Sequence, residues 1–232
     1  MNKILLNTVL ALFSLVITGL SLNAQTLSQG STELDNRLYN GKYYNYFLPS
    51  NVTGNQFLTT KDNSIGIVWG NGVEFENLLL NYDVLNQQLL LEFITNEKAT
   101  RLISLSMVNV DSFYFENKIF VIDTNISKLH NIYQCISYNG IKIYLHLYKF
   151  MNLQSKLNDI EYNFTKLQRD IYFFDKGEYL KVKNNSKFIK ILNPQISKNV
   201  KRYMKSKKYK LKRMTDNQYL DLLIYIKDKA RE

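Results

Sequence analysis

Two apolar-alternating runs, His130 to Tyr138 and Ile141 to Phe150, meet at Asn139-Gly140. No other stretch constrains the chain as tightly. Asn-Gly accepts the positive φ angles of a two-residue type I′ turn, so the two runs return antiparallel. In the second run Ile141, Ile143, Leu145 and Leu147 point to one face, and Lys142, Tyr144, His146 and Tyr148 to the other. One face suits a core; the other is amphipathic and aromatic. The same pattern recurs around Gly70-Asn71-Gly72, where Ile65, Ile67 and Trp69 precede the turn and Val73 and Phe75 follow it. Leu78 to Val84 and Gln87 to Thr95 read as two further strands turning near Leu85-Asn86. Leu102 to Val110 is a shorter candidate. Asp111 to Glu116 and Lys118 to Asp123 turn at Asn117, and Tyr172 to Phe174 and Glu178 to Val182 turn around Asp175-Lys176-Gly177. Phe188 to Leu192 reads as a last strand. Seventeen Tyr and 13 Phe favour such a β-rich body.

The period changes after Leu192. Asn193-Pro194 is an N-cap followed by Pro at the first helical position. Ile196, Val200, Tyr203 and Met204 recur at helical spacing, with Lys198, Lys201, Arg202 and Lys205 opposite. Thr215 to Gln218 is a capping box, and Tyr219, Leu222, Leu223 and Ile226 form an apolar stripe behind it. The expected fold class is α+β: mainly antiparallel β, as a curved sheet or partial barrel, with a C-terminal pair of amphipathic helices. The expected organisation is a signal peptide over 1–24, a β-rich domain over 25–190 and a basic helical segment over 191–232 packed on it.

Residues 1–24 carry the features of a secretory signal. Lys3 supplies the positive start, Ile4 to Leu22 is mostly apolar and uncharged, and small Ala24 precedes Gln25. An uncleaved anchor is the alternative, because such a stretch could almost span a bilayer. Cleavage after Ala24 predicts a periplasmic or secreted protein with no transmembrane helix in its mature form. With 45% hydrophobic and 22% charged residues, the chain is excluded from the disordered, collagen-like and multi-span membrane classes. One cysteine, Cys135, excludes an intrachain disulfide and reads as a buried inert thiol in an apolar strand.

The net charge of +10 is unevenly spread. Residues 25–180 hold 13 Lys+Arg against 16 Asp+Glu, whereas residues 181–232 hold 16 against 4. Lys205, Lys207, Lys208, Lys210, Lys212 and Arg213 crowd into nine residues, with Tyr209 and Leu211 between them. They are the candidate anion-binding residues, suited to lipid headgroup phosphates, an acidic polysaccharide or an acidic protein. A solvated connector between helices is the competing reading. Nucleic acid would suit the charge, but export argues against it.

Trp69-Gly70-Asn71-Gly72-Val73, then Asn81-Tyr82-Asp83-Val84 and Leu89-Leu90-Leu91, resembles a group of uncharacterised exported proteins of Bacteroidota-type bacteria. The tail is similar to theirs as well: a helix, a Lys-rich link and a final helix with paired Leu. The resemblance covers residues 40–230 and implies a signal peptide and a β-rich body. It carries over no activity and no catalytic or binding residue.

The sequence holds no Gly-x-Ser-x-Gly, no His-Glu-x-x-His and no Gly-rich phosphate loop. His130 and His146, the two histidines, read as surface or satisfied residues rather than metal ligands. Glu74 and Glu76 share a strand face and read as solvated rather than as a catalytic pair. Asp83 reads as a strand-end turn residue. Trp69 reads as a core anchor rather than a stacking platform. Tyr39, Tyr43, Tyr44 and Tyr46 either line a groove or pack across a sheet edge. The functional expectation is a non-catalytic, envelope-associated binding protein without cofactor or metal. The alternatives are a β-barrel-like carrier of a small apolar ligand and a carboxylate-based hydrolase.

Overall fold

The computed structural model describes residues 37–39, 41–46, 48–49, 51–129, 131–156 and 159–230. The expected signal segment, with its cleavage point after Ala24, and His130 lie outside the described residues. The strands are β1 (Lys42–Tyr43), β2 (Val52–Thr53), β3 (Ser64–Gly70), β4 (Val73–Asp83), β5 (Gln88–Ile94), β6 (Thr100–Ser104) and β7 (Ser112–Phe115). They continue as β8 (Lys118–Ile122), β9 (Ile132–Tyr138), β10 (Ile141–Tyr148), β11 (Met151–Lys156), β12 (Asp159–Phe164), β13 (Gln168–Asp175) and β14 (Glu178–Val182). Three α-helices follow: α1 (Asn185–Ile191), α2 (Pro194–Ser206) and α3 (Asp216–Lys229).

Eleven strands form one sheet in the order β1-β6-β5-β4-β3-β7-β8-β9-β10-β13-β14, and its two edges do not meet. The protein is thus α+β with an open antiparallel sheet rather than a closed barrel. β11, β12 and β2 make a separate three-stranded sheet in which β12 and β2 run parallel, a pairing that the sequence did not announce.

Turn chemistry accounts for the hairpins. Asn139 and Gly140 both have positive φ, and Ile141 pairs with Tyr138, as a type I′ turn requires. Asn71 and Gly72 do the same between β3 and β4. Gly70 has a different task. A Cβ there would sit 1.9 Å from the Asn109 carbonyl oxygen, whereas a Cβ on Gly72 would meet open space. Gly70→Ala is therefore expected to cost about 2 kcal/mol through forced backbone displacement. Gly72→Ala, with only its positive φ to strain, should cost about 1 kcal/mol. Urea midpoints would rank the two.

The β3–β4 register corrects the expected orientation of Trp69. A bulge shifts the pairing between Gly66 and Val68, and Asn77 opposite has a positive φ. Val68 is fully buried, while Ile65, Ile67 and Trp69 face the other side, with Ile65 67% exposed. Trp69 is half-buried opposite Glu74 and Ser112, not a core anchor. The expected strands on either side of Asn77 are one continuous strand, and the bulge returns Leu78, Leu80 and Tyr82 to the core face.

The core face gathers Tyr82, Phe113 and Phe120, with the two Phe rings stacked at 4.7 Å. Helix α3 packs over β9 and β10, and Tyr219, Leu222, Leu223 and Ile226 join the same apolar cluster as Ile143 and Leu145. The opposite face of β9, β10 and β13 carries a smaller cluster of Tyr133, Tyr144 and Tyr172, the aromatic face expected for β10. Cys135 is half-buried beside it, and burial pushes its thiol pKa up. His146 lies on that face too, buried, with its ring Nδ1 3.4 Å from the Ile132 carbonyl.

The expected strand Phe188 to Leu192 is instead helical as far as Ile191, with Leu192 as the extended C-cap. Asn184 caps α1 by accepting the Lys187 amide at 2.9 Å, and Phe188 and Leu192, four residues apart, both reach the core. Apolar Phe188, Ile189, Ile191 and Leu192 fall at i, i+1, i+3 and i+4, a helical spacing, and Asn184 supplies the cap. The other helix signals hold: Asn193 caps α2 with Pro194 behind it, and Thr215 and Gln218 form the capping box of α3.

Candidate functional site

The basic segment is not a loose connector. Helix α2 ends in a Schellman motif: the Tyr209 amide bonds the Met204 carbonyl at 2.8 Å and the Lys208 amide bonds that of Lys205 at 3.1 Å. Lys208 takes the left-handed position with φ 57°, where glycine is usual. Beyond it, Asn185 on α1 clamps the link from both sides. Its amide donates to the Tyr209 carbonyl at 2.7 Å and its oxygen accepts the Leu211 amide at 3.0 Å. Arg169 on β13 bonds the Met214 carbonyl at 2.8 Å, and the buried Tyr219 hydroxyl donates to the Leu211 carbonyl. Leu211 and Met214 are buried. Lys118 on β8 pairs with Asp216 at 2.5 Å and ties the start of α3 to the sheet.

Between α1, α2 and this pinned link lies a cleft of 1090 Å³. Lys190, Lys201, Lys205, Lys208, Lys210 and Arg213 line it, and its floor carries Ile189, Met204, Met214 and Tyr209. Among the described residues lining it there is no acid. Four of the six candidate residues, Lys205, Lys208, Lys210 and Arg213, thus converge on one space. Lys207 and Lys212 do not: the Lys207 ammonium lies over the Tyr203 ring at 5.7 Å, and Lys212 is exposed outside the lining. Sequence reasoning missed Lys190, because its segment read as a strand. Lys201 is on the polar side of α2 that the sequence predicts, one turn before Lys205 and on the same stripe.

Asp221 on α3 anchors the wall behind the cleft. It accepts hydrogen bonds from the Tyr203 hydroxyl at 2.6 Å and the Tyr209 hydroxyl at 2.8 Å. Tyr203 also stacks on Tyr225 at 3.9 Å. Burial pushes the Asp221 carboxyl up, but the two phenol donors and the Lys207 charge outweigh it and hold the carboxyl below its ordinary value. A carboxyl lower in the fold than in the open chain contributes stability above its open-chain pKa and loses it as pH falls through the folded value. Both phenol bonds are partly open to solvent, which screens them, so Asp221→Asn should cost about 0.5 kcal/mol near neutrality. That deficit should shrink as pH drops below about 4. Urea midpoints of both proteins at neutral and acidic pH test this; an equal deficit at both would assign the loss to packing.

A second polar cluster lies away from the cleft. Asp83 is fully buried; its Oδ1 accepts the Leu85 and Asn86 amides at 2.9 Å, the turn role expected of it. Its Oδ2 accepts the Tyr44 hydroxyl at 2.6 Å and the Asn86 side-chain amide at 2.7 Å. Burial and then the Asp83 bond raise the Tyr44 pKa. Tyr44 stacks with Tyr46, Tyr39 meets Phe93 edge-on, and Tyr43 is exposed. Tyr39 thus packs on β5, Tyr46 meets Phe57, and Tyr43 and Tyr44 line a groove of 480 Å³ beside Gln88 and Ser104. Lys149 donates to the Asn55 carbonyl at 3.0 Å and to that of Phe57, and burial lowers its pKa. Glu74 and Glu76 are both exposed on β4.

Among the described residues, no helix is long and apolar enough to cross a membrane, and no group of three His, Cys, Asp or Glu is placed to hold a metal ion. Comparison with protein-family models, with curated proteins and with solved structures returned no match.

Proposed function

We propose that this is a non-catalytic, exported, envelope-associated binding protein that captures an anionic partner in the cleft between α1, α2 and the basic link. The observation that carries this reading is the convergence of six cations on one cleft without an acid among its described lining residues. Six like charges held together repel one another, and a bound polyanion relieves that repulsion while gaining charge-assisted hydrogen bonds. The hydrogen bonds that pin the link favour this over a solvated connector, because they fix the backbone from which the cations of the link extend before any ligand arrives. A barrel-like carrier finds less support: the core face of the sheet is filled by Tyr82, Phe113, Phe120 and the apolar stripe of α3. A carboxylate hydrolase finds no converging acids in the cleft.

Changing Lys205, Lys208, Lys210 and Arg213 together to Gln should weaken retention on anionic vesicles. At about 1 kcal/mol per charge near such a surface, the loss approaches a thousandfold at low salt. Retention of the native protein should itself fall as salt rises. The double variant Lys207→Gln/Lys212→Gln, which touches cations outside the lining, should lose at most about thirtyfold by the same arithmetic, well short of the fourfold variant. Co-sedimentation with vesicles reads all three proteins. Equal retention of the fourfold variant and the native protein would overturn the proposal.

A further inference from the structure

We infer that the cleft takes an anionic amphiphile: a phosphorylated head gripped by the lysines, with an alkyl portion lying on the apolar floor. This rests on the proposed function and specifies its ligand class. A cleft built only for a sugar polyanion needs cations and hydrogen-bond donors along a polar trough. Asn185, Ser186 and Gln218 also line this one, but the Asn185 amide is engaged by the Tyr209 carbonyl and the Gln218 oxygen by the Thr215 amide, and the cationic rim stands above Ile189, Met204, Met214 and the Tyr209 ring. Two of the chain's five methionines are at that floor. Methionine side chains are unbranched and polarizable, and they adapt to flexible apolar partners. The volume, 1090 Å³, is at the upper end of small-molecule sites and far exceeds what an inorganic anion fills.

Lys208 provides a test that does not confuse binding with unfolding. It lines the cleft from the left-handed position of the Schellman motif. Glycine is the favoured residue there, so Lys208→Gly should hold or raise the melting temperature while removing one rim charge. Loss of binding in that variant therefore cannot come from loss of fold.

The experiment titrates the purified protein with alkyl phosphates of increasing chain length, each below its micelle concentration, and with inorganic phosphate. Each buried methylene should tighten binding by about threefold to fourfold. Ile189→Asn should flatten that dependence on chain length while leaving inorganic phosphate binding in place. Lys208→Gly should weaken every member of the series without altering the dependence on length. Alkyl phosphates that bind no tighter than inorganic phosphate would overturn the amphiphile while leaving an anion cleft standing. Tighter binding of polygalacturonate than of the longest alkyl phosphate would overturn it in favour of an acidic polysaccharide. If neither alkyl phosphates, inorganic phosphate nor anionic vesicles bind, this inference and the proposed function fall together.

Discussion

Leu222→Ala will lower the stability of the whole fold by about 3–4 kcal/mol, near the middle of the range for a leucine truncated in a packed core. Leu222 is fully buried on α3, which packs across β9 and β10. It belongs to one apolar cluster that includes Ile143 and Leu145 of β10, Phe188 of α1 and Val200 of α2. Residues Leu34–Glu232 form one compact unit, so the basic tail shares its core with the sheet. A loss of that size is a large share of the 5–15 kcal/mol that typically holds a protein together. The chain has one tryptophan, Trp69, on β3, three strands along the sheet from β9, on which α3 packs. Its fluorescence and the far-UV helical signal should shift to lower urea together in the variant. A variant in which the helical signal melts early while Trp69 keeps its native transition would show the tail to be a separable appendage.

Asp83→Ala should cost about 3 kcal/mol, for a different reason. The side chain is fully buried and satisfies four donors: the Tyr44 hydroxyl, two backbone amides and the Asn86 side chain. Removing the carboxylate leaves the half-buried Tyr44 hydroxyl and Leu85 amide without their acceptor, at about 1–3 kcal/mol for each, while the exposed Asn86 turns to water. The Lys149 ammonium, already disfavoured by burial, also loses the anion that offsets its desolvation. Asp83→Asn keeps one acceptor oxygen and should recover part of the loss. A denaturation series over the three proteins, ranked native, Asn, Ala, tests this; an alanine variant as stable as the native protein would mean that water replaces the carboxylate at no cost.

Particular elements show where the sequence was legible. The hairpin at Asn139-Gly140 and the capping box at Thr215 were readable because their chemistry is local: positive φ at a turn, and a side chain reaching an amide three residues on. The cationic tail was legible as composition, and four of its six singled-out residues do line the cleft. The separation of Lys207 and Lys212 from that lining, and the arrival of Lys190, were not legible. They depend on how α1 and α2 are set against each other by Asn185 and by burial of Phe188, Leu211 and Met214. Trp69 was misread for a similar reason. Its alternation with Ile65 and Ile67 marks a face but does not say which face, and burial of Val68 and its partner Phe113 turns the other face to the core.

By itself, then, the sequence determined the period of most segments, the sites of most turns and caps, and the concentration of positive charge at its far end, since all three rest on neighbours in the chain. Only the tertiary structure decided which side of the sheet is core, which strands share an edge, and that lysines from two helices and a pinned link surround one apolar-floored cleft. Those outcomes depend on contacts between residues far apart in the chain, whose energies no local pattern records.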